Sequence, residues 1–228
     1  MPRIARVVVP YVPHHVTQRG NRKQQTFFCN RDYELYKELM SEWCARRGVQ
    51  VWAYCLMPNH THLILVPREA DALARAVGEA HRRYTCTVNR REGWTGFLWQ
   101  GRFASFPMSD RYLLNAVRYV LLNPVRAGLT RAATDWPHSS VRAHVENAPD
   151  PLVDARHLAK RIAAWEEVLA PGEAETDSNL LRLHLGTGRP LGDEVFLSRV
   201  EAQTGRRLKS RRGTQTRSKG NGLCPPPG

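Results

Sequence analysis

Apolar positions along this chain alternate between a period of two and a period near 3.6, and that rhythm predicts its elements. Residues 11–18 read as a first strand, followed by the basic turn Arg19-Gly20-Asn21-Arg22-Lys23. From Asp32 to Arg47, Tyr33, Leu35, Tyr36, Leu39, Met40 and Trp43 form the buried side of a helix that Gly48 stops. Val49 to Met57 is a second strand. Met57-Pro58-Asn59 turns the chain into a third, His60 to Val66. Helical spacing returns from Asp71 to Arg91 through Leu73, Ala76, Val77, Ala80, Tyr84 and Val88. The other side of that helix carries Arg75, Arg82, Arg83 and Arg90, which suit a solvated face or phosphate contact. Phe97 to Phe106 places aromatics on alternate positions and predicts a fourth strand. Asp110 to Pro124 reads as a further helix with Leu113, Leu114, Val117, Val120 and Leu121 as its apolar stripe.

The order strand, helix, strand, strand, helix, strand predicts an α+β fold of the ferredoxin-like split βαβ type. Two helices pack on one face of its antiparallel sheet, and the extra helix covers the other. Residues 1–145 form this unit. Residues 146–177 are an acidic, Pro-rich connector around one helical piece, Ala155 to Leu169. Residues 178–228 hold two short helices and a basic tail expected to be disordered. The first helix is Ser178 to His184. The second is capped by Asp193, runs to about Gln203 and stops at Gly205.

Composition narrows the partners. No apolar run approaches the roughly 20 residues of a membrane helix, and the N-terminal apolar segment is too short for a secretory signal. These features predict a cytoplasmic protein with no membrane partner. The 5 cysteines include no Cys-x-x-Cys pair, which argues against a zinc ribbon or disulfide framework and for reduced, mostly buried thiols. Net charge is +13, with two basic blocks flanking the acidic connector. The first 31 residues carry Arg3, Arg6, Arg19, Arg22, Lys23 and Arg31 without one acid. Such a local excess fits a polyanion, DNA or RNA, without naming a reaction.

The candidate chemistry lies at the head of the third strand. His60 and His62 project to one face and Thr61 to the other, so two imidazoles can hold one divalent metal. In so basic a chain that metal faces a phosphate. Tyr119 and Asn123 are four apart and share a helix face offset from the apolar stripe. They can meet the histidine pair as nucleophile and amide ligand. Equally, they can be a half-buried tyrosine at a helix edge and an asparagine ending the helix before Pro124.

Five motifs in order carry a resemblance. They are His15-Val16-Thr17-Gln18-Arg19-Gly20-Asn21-Arg22, Leu56-Met57-Pro58-Asn59-His60-Thr61-His62-Leu63, Leu98-Trp99-Gln100-Gly101-Arg102-Phe103, Tyr119 through Gly128, and Trp136-Pro137-His138-Ser139-Ser140. Together they closely resemble the REP-associated tyrosine transposases of the single-tyrosine HUH superfamily, over about residues 11–145. Residues 186–208 are similar, more weakly, to a trailing segment of longer members. The resemblance implies a transposase that acts on single-stranded or hairpin DNA as a monomer or homodimer. It implies Mg²⁺ or Mn²⁺ held by His60 and His62, with Asn123 completing the metal site. It also implies Tyr119 as the nucleophile, leaving a 5′-phosphotyrosine bond. Thr61 stands where the family usually has a hydrophobic residue, on the side facing away from the metal. Arg19, Arg22, Lys23 and Arg102 are the expected DNA contacts. Trp99 either stacks a base or packs in the core. Two other readings remain: a metal-dependent hydrolase with a structural tyrosine, and a domesticated regulator that binds DNA hairpins without cutting. Relaxases place their tyrosine before the histidine pair, the reverse of the order here.

Overall fold

The computed structural model describes residues 4–170 and 175–208. Its core runs β1 (His14–Arg19), α1 (Asn30–Arg46), β2 (Val49–Met57), β3 (His60–Pro67), α2 (Ala72–Glu92) and β4 (Ala104–Pro107). The strands are ordered β2-β3-β1-β4 and every neighbouring pair is antiparallel. This is the split βαβ that the hydrophobic rhythm predicts.

Register decides what each face carries. Thr17 lies opposite His62, Arg19 opposite His60 and His15 opposite Ile64. Paired residues project together, so all six share a face. The other face buries Val16, Tyr54, Leu56, Leu63 and Leu65 against Phe27, Tyr36 and Met40 from the α1 side and Leu73, Val77 and Tyr84 of α2. Asp32 accepts backbone N–H bonds from Phe28 (2.7 Å) and Cys29 (3.3 Å) at the start of α1. Arg91 near the end of α2 grips the same carboxylate with both guanidinium nitrogens, so the two helices are tied end to end.

Over the histidine face lies α3 (Asp110–Leu121), whose Val117, Tyr119 and Val120 pack with Ile64, Phe106 and Met57. It is followed by four short helices: α4 (Asn123–Arg126), α5 (Val141–Val145), α6 (Arg156–Ala159) and α7 (Trp165–Leu169). Next comes α8 (Glu175–Thr187), longer than the 178–184 helix expected from sequence. Leu158, Ile162, Val168, Leu181 and Leu191 all join the core under α3. The last helix, α9 (Glu194–Thr204), packs Phe196 and Val200 on Val7 and Val9. Its ends are as expected: Asp193 accepts from the Phe196 N–H at 2.8 Å, and Gly205 closes it at φ 64°. No helix among the described residues is long and apolar enough to cross a membrane.

Three expectations need correction. The fourth strand is only Ala104–Pro107, because Gly96 (φ 91°) and Gly101 (φ 66°) bend residues 97–103 out of strand geometry. The single helix over 155–169 is two. In an unbroken helix Val168 would point about 120° away from Ile162, and the break lets both reach the core. Among the described residues the thiols are divided rather than mostly buried: Cys44 and Cys55 are buried, whereas Cys29 and Cys86 are exposed. Arg75, Arg82 and Arg83 pair with Asp71 and Glu79, as a solvated charged face does. The basic tail beyond Leu208, with Cys224, lies outside the described residues.

Candidate active site

A cavity of about 760 Å³ opens on the histidine face of the sheet. Strands β1 and β3 contribute Thr17, Gln18, Arg19, His60 and His62 to its wall. The segment before β4 contributes Gln100 and Arg102. Helices α3 and α4 add Tyr119, Asn123 and Arg126, and α8 adds Arg182, Leu185 and Gly186. Among the described residues four guanidinium groups line it and no carboxylate does, so its field favours a polyanion.

Both predicted histidines, Tyr119, Asn123, Arg19 and Arg102 therefore meet in one place. The ring centroids of His60 and His62 are 5.0 Å apart, and the Tyr119 ring lies 5.5 Å from that of His62. Asn123 follows a break at Leu122, yet it lines the same cavity wall as His60 and His62. Arg22 and Lys23 lie beside the cavity rather than in its wall, exposed on a turn held at φ 53° and 63°. Trp99 departs from the stacking expectation. It is 6 % exposed, stacks on His81 at 4.8 Å and packs among Phe27, Tyr36 and Tyr84, so its faces are taken.

The histidine tautomers can be read from their partners. Asn59 Nδ2 donates to the Lys23 carbonyl at 3.0 Å, which turns Oδ1 toward His60. That oxygen lies 2.6 Å from His60 Nδ1 and can only accept, so Nδ1 carries the proton and Nε2 keeps its lone pair. His62 Nδ1 lies 3.0 Å from Nε2 of His15. For His62 to offer Nε2 as a ligand, its Nδ1–H must donate to His15. The proton of His15 then sits on Nδ1, which is buried without a partner among the described residues. An orphaned donor of this kind costs about 1–3 kcal/mol, an imbalance that a ligand on His62 would offset.

Burial keeps these imidazoles neutral. It pushes His60 down to about 4, with the Arg19 charge adding to the shift and the Asn123 hydrogen bond opposing it. His62 is driven well below its ordinary value by burial first, then by His15, His60, Arg126 and Arg19. Both are therefore lone-pair donors at neutral pH. With the Asn123 amide oxygen they form an uncharged set able to hold one divalent cation. No group of three or more His, Cys, Asp or Glu is so placed among the described residues. An uncharged set leaves the cation's charge and remaining positions to a phosphate. The residues therefore fit a metal that arrives with DNA better than a permanently bound one.

Several lining and supporting residues escaped the sequence reading. Arg126 lays its guanidinium 3.9 Å over the Tyr119 ring and donates to the Tyr119 carbonyl. It follows Tyr119 by seven residues, two helical turns, so the spacing held a signal. His15 and Asn59 act one bond behind the histidine pair, which no spacing rule reveals. Arg182 belongs to a helix far along the chain and reaches the cavity only through tertiary packing.

Residues 9–122 match the family model described as Transposase IS200 like. A Haemophilus influenzae protein, provisionally assigned as a REP-associated tyrosine transposase, is 26% identical over 142 residues, 58% of this chain and 78% of that one. The REP-associated tyrosine transposase of Escherichia coli is 22% identical over 134 residues, 58% of this chain and 77% of that one. The solved structure of a REP-associated tyrosine transposase bound to a REP hairpin has a TM-score of 0.56 at 20% identity, over 68% of this chain and 93% of that one. That last likeness is one of fold.

Proposed function

This chain belongs to the IS200-like transposases, enzymes that cleave and join DNA, and from that premise we propose that Tyr119 cuts single-stranded DNA beside a hairpin. The observation that carries the reading is one cavity holding a phenol, two neutral imidazoles and an amide inside a ring of four arginines. The phenol oxygen forms a bond to phosphorus, and the bond from phosphorus to the 3′ oxygen breaks. The phenol proton passes to solvent and the released 3′ oxygen takes one up. The products are a 5′-phosphotyrosine and a free 3′-hydroxyl. Because the phosphodiester energy is kept in the tyrosine bond, a 3′-hydroxyl can attack it in reverse and rejoin the strand without ATP.

Arg126 fixes the phenol from above its ring, while Arg19, Arg102 and Arg182 hold phosphates along the cavity. His60, His62 and Asn123 would hold Mg²⁺ or Mn²⁺, the imidazole nitrogens favouring the softer Mn²⁺. When bound, that ion supplies Lewis-acid polarisation of the phosphate. Arg22 and Lys23 extend the cationic surface at the neighbouring turn. Hairpin DNA is the proposed substrate because the related solved transposase holds a hairpin.

The test is direct. Wild-type protein, Mn²⁺ and an end-labelled hairpin with a single-stranded flank should give a covalent protein–DNA adduct. Tyr119→Phe should still bind the DNA and lose the adduct by about 10⁴-fold or more. An adduct that persists in Tyr119→Phe would overturn the nucleophile. Cleavage by the wild type without any adduct would point instead to hydrolysis.

A further inference from the structure

Three exposed aromatic side chains on segments that also supply the cavity wall have no part in the reaction above. Phe97 is 85% exposed, Trp94 44% and Phe28 37%. Scattered apolar residues on a surface are ordinary, but these lie on two segments bonded to one another. Asn21 N donates to the Leu98 carbonyl and Gln100 N to the Arg19 carbonyl, both at 2.8 Å. Phe97 is thus one residue away from the bond that joins its segment to the basic turn. Phe28 and Trp94 pack edge to face with centroids 5.6 Å apart, and the Arg91 guanidinium lies 5.8 Å from the Phe28 ring. Arg91 is itself held by Asp32 and Glu92, and Asn89 Nδ2 donates to the Gly96 carbonyl at 3.0 Å. The aromatic rings stand on a braced base.

Charge identifies the occupant. Residues 19–28 and 93–103 together carry Arg19, Arg22, Lys23 and Arg102 and not one acid. Arg19, Gln100 and Arg102 also line the cavity, so the two segments that carry the aromatic rings supply part of its wall. We propose that Phe97, with Trp94 and Phe28, is a stacking platform for the unpaired bases of the strand leaving the cavity between Arg19 and Arg102. The inference rests on the nuclease reading and extends it to the flank of the substrate. An exposed ring beside cations suits a single strand. Its bases present free faces, whereas those of a duplex are already stacked on one another. Such contact accepts any base, because every base has a π face.

The experiment compares two DNAs that share a stem and loop, one blunt and one with an unpaired flank. Binding is measured with full-length protein under chelation, so that nothing is cut. Phe97→Ala should weaken the flanked DNA by about 5- to 100-fold and leave the blunt hairpin unchanged. Phe97→Trp should restore binding, and 2-aminopurine in the flank should be quenched by wild type but not by Phe97→Ala. Equal loss on both DNAs, or no loss on either, overturns the platform. So does a dimer that Phe97→Ala disrupts in the absence of DNA while flank affinity is unchanged, since the surface would then belong to a second copy. The two readings fail separately. Flank-dependent binding with no Tyr119 adduct refutes the nuclease and leaves the platform, and an adduct formed without flank dependence does the reverse.

Discussion

One sheet carries two buried clusters of imidazole and phenol, one on each face, and the cluster under α3 borders the cavity. On the α1 and α2 side, His81 Nε2 meets the Tyr36 hydroxyl at 2.8 Å and Trp99 stacks over the His81 ring. Burial pushes His81 down to about 3 and Tyr36 up. On the α3 side, burial likewise lowers His15, His60 and His62. A depressed imidazole therefore does not by itself mark the chemistry. What separates the faces is how the polar atoms are used. His81 and Tyr36 bond each other under an indole. His60 and His62 turn Nδ1 toward Asn59 and His15 and bring the rest of the ring to a cavity lined by four arginines. The first arrangement is a polar joint inside a core, and the second leaves ring atoms facing a cavity where a ligand can reach them.

The sharpest way to break that contrast is a pair of substitutions, one per face. His62→Ala should reduce Mn²⁺-dependent cleavage by more than about 100-fold in protein that still folds, beyond what outer partners of a metal site cost. His81→Leu should do the opposite. It strands the Tyr36 hydroxyl and costs about 1–3 kcal/mol of stability, with the cleavage rate of the folded protein preserved. Cleavage assays alongside thermal unfolding read both quantities. A His81→Leu protein that is fully folded yet inactive would show that the faces are not divided in this way.

Much of this was legible in the chain because its signals are local. Strand alternation placed His60 and His62 on one side of β3, and a four-residue spacing brought Tyr119 and Asn123 to one cavity even though the helix breaks at Leu122. The failures began where locality ended. Phe97 and Trp99 would share a face in a strand, but Gly96 and Gly101 adopt left-handed conformations between which the chain bends. One ring is left 85% exposed and the other 6%. The apparent alternation was therefore a coincidence of spacing. His15 is visible as a histidine in the sequence, but its bond to His62 depends on the β1–β3 register. Arg182 reaches the cavity because α8 docks over β4 and β1, a contact written in no short motif.

A milder substitution sharpens the comparison from within the open face. If Asn59 sets the His60 tautomer, Asn59→Ala should raise the Mn²⁺ concentration for half-maximal cleavage by about 10- to 100-fold. Asn59→Asp keeps an acceptor for His60 Nδ1–H and loses only the donor to Lys23, so it should need little more metal than wild type. Both readouts come from Mn²⁺ titrations of cleavage at saturating DNA. Should the alanine variant titrate like wild type, the hydrogen bond at 2.6 Å would not be what orients the ring.

The smallest expected effect tests the cations of the two faces. Arg182 on α8 lines the cavity, and among the described residues the side-chain oxygen of Asn179 lies beside it at 3.4 Å. Arg82 on α2 is bound through two nitrogens to Glu79 at the opposite surface. A cation that neutralises a phosphate displaces condensed counterions, and a cation already paired with a carboxylate does not. Arg182→Ala should therefore weaken binding to the flanked hairpin only a few-fold. It should also flatten the plot of log affinity against log salt by about 0.7, the share of one phosphate on a single strand. Arg82→Ala should leave that slope where it was. Equal slopes for the two variants would mean that α8 covers the site without touching the DNA. The basic field of the cavity would then act from Arg19 on β1, Arg102 before β4 and Arg126 on α4 alone.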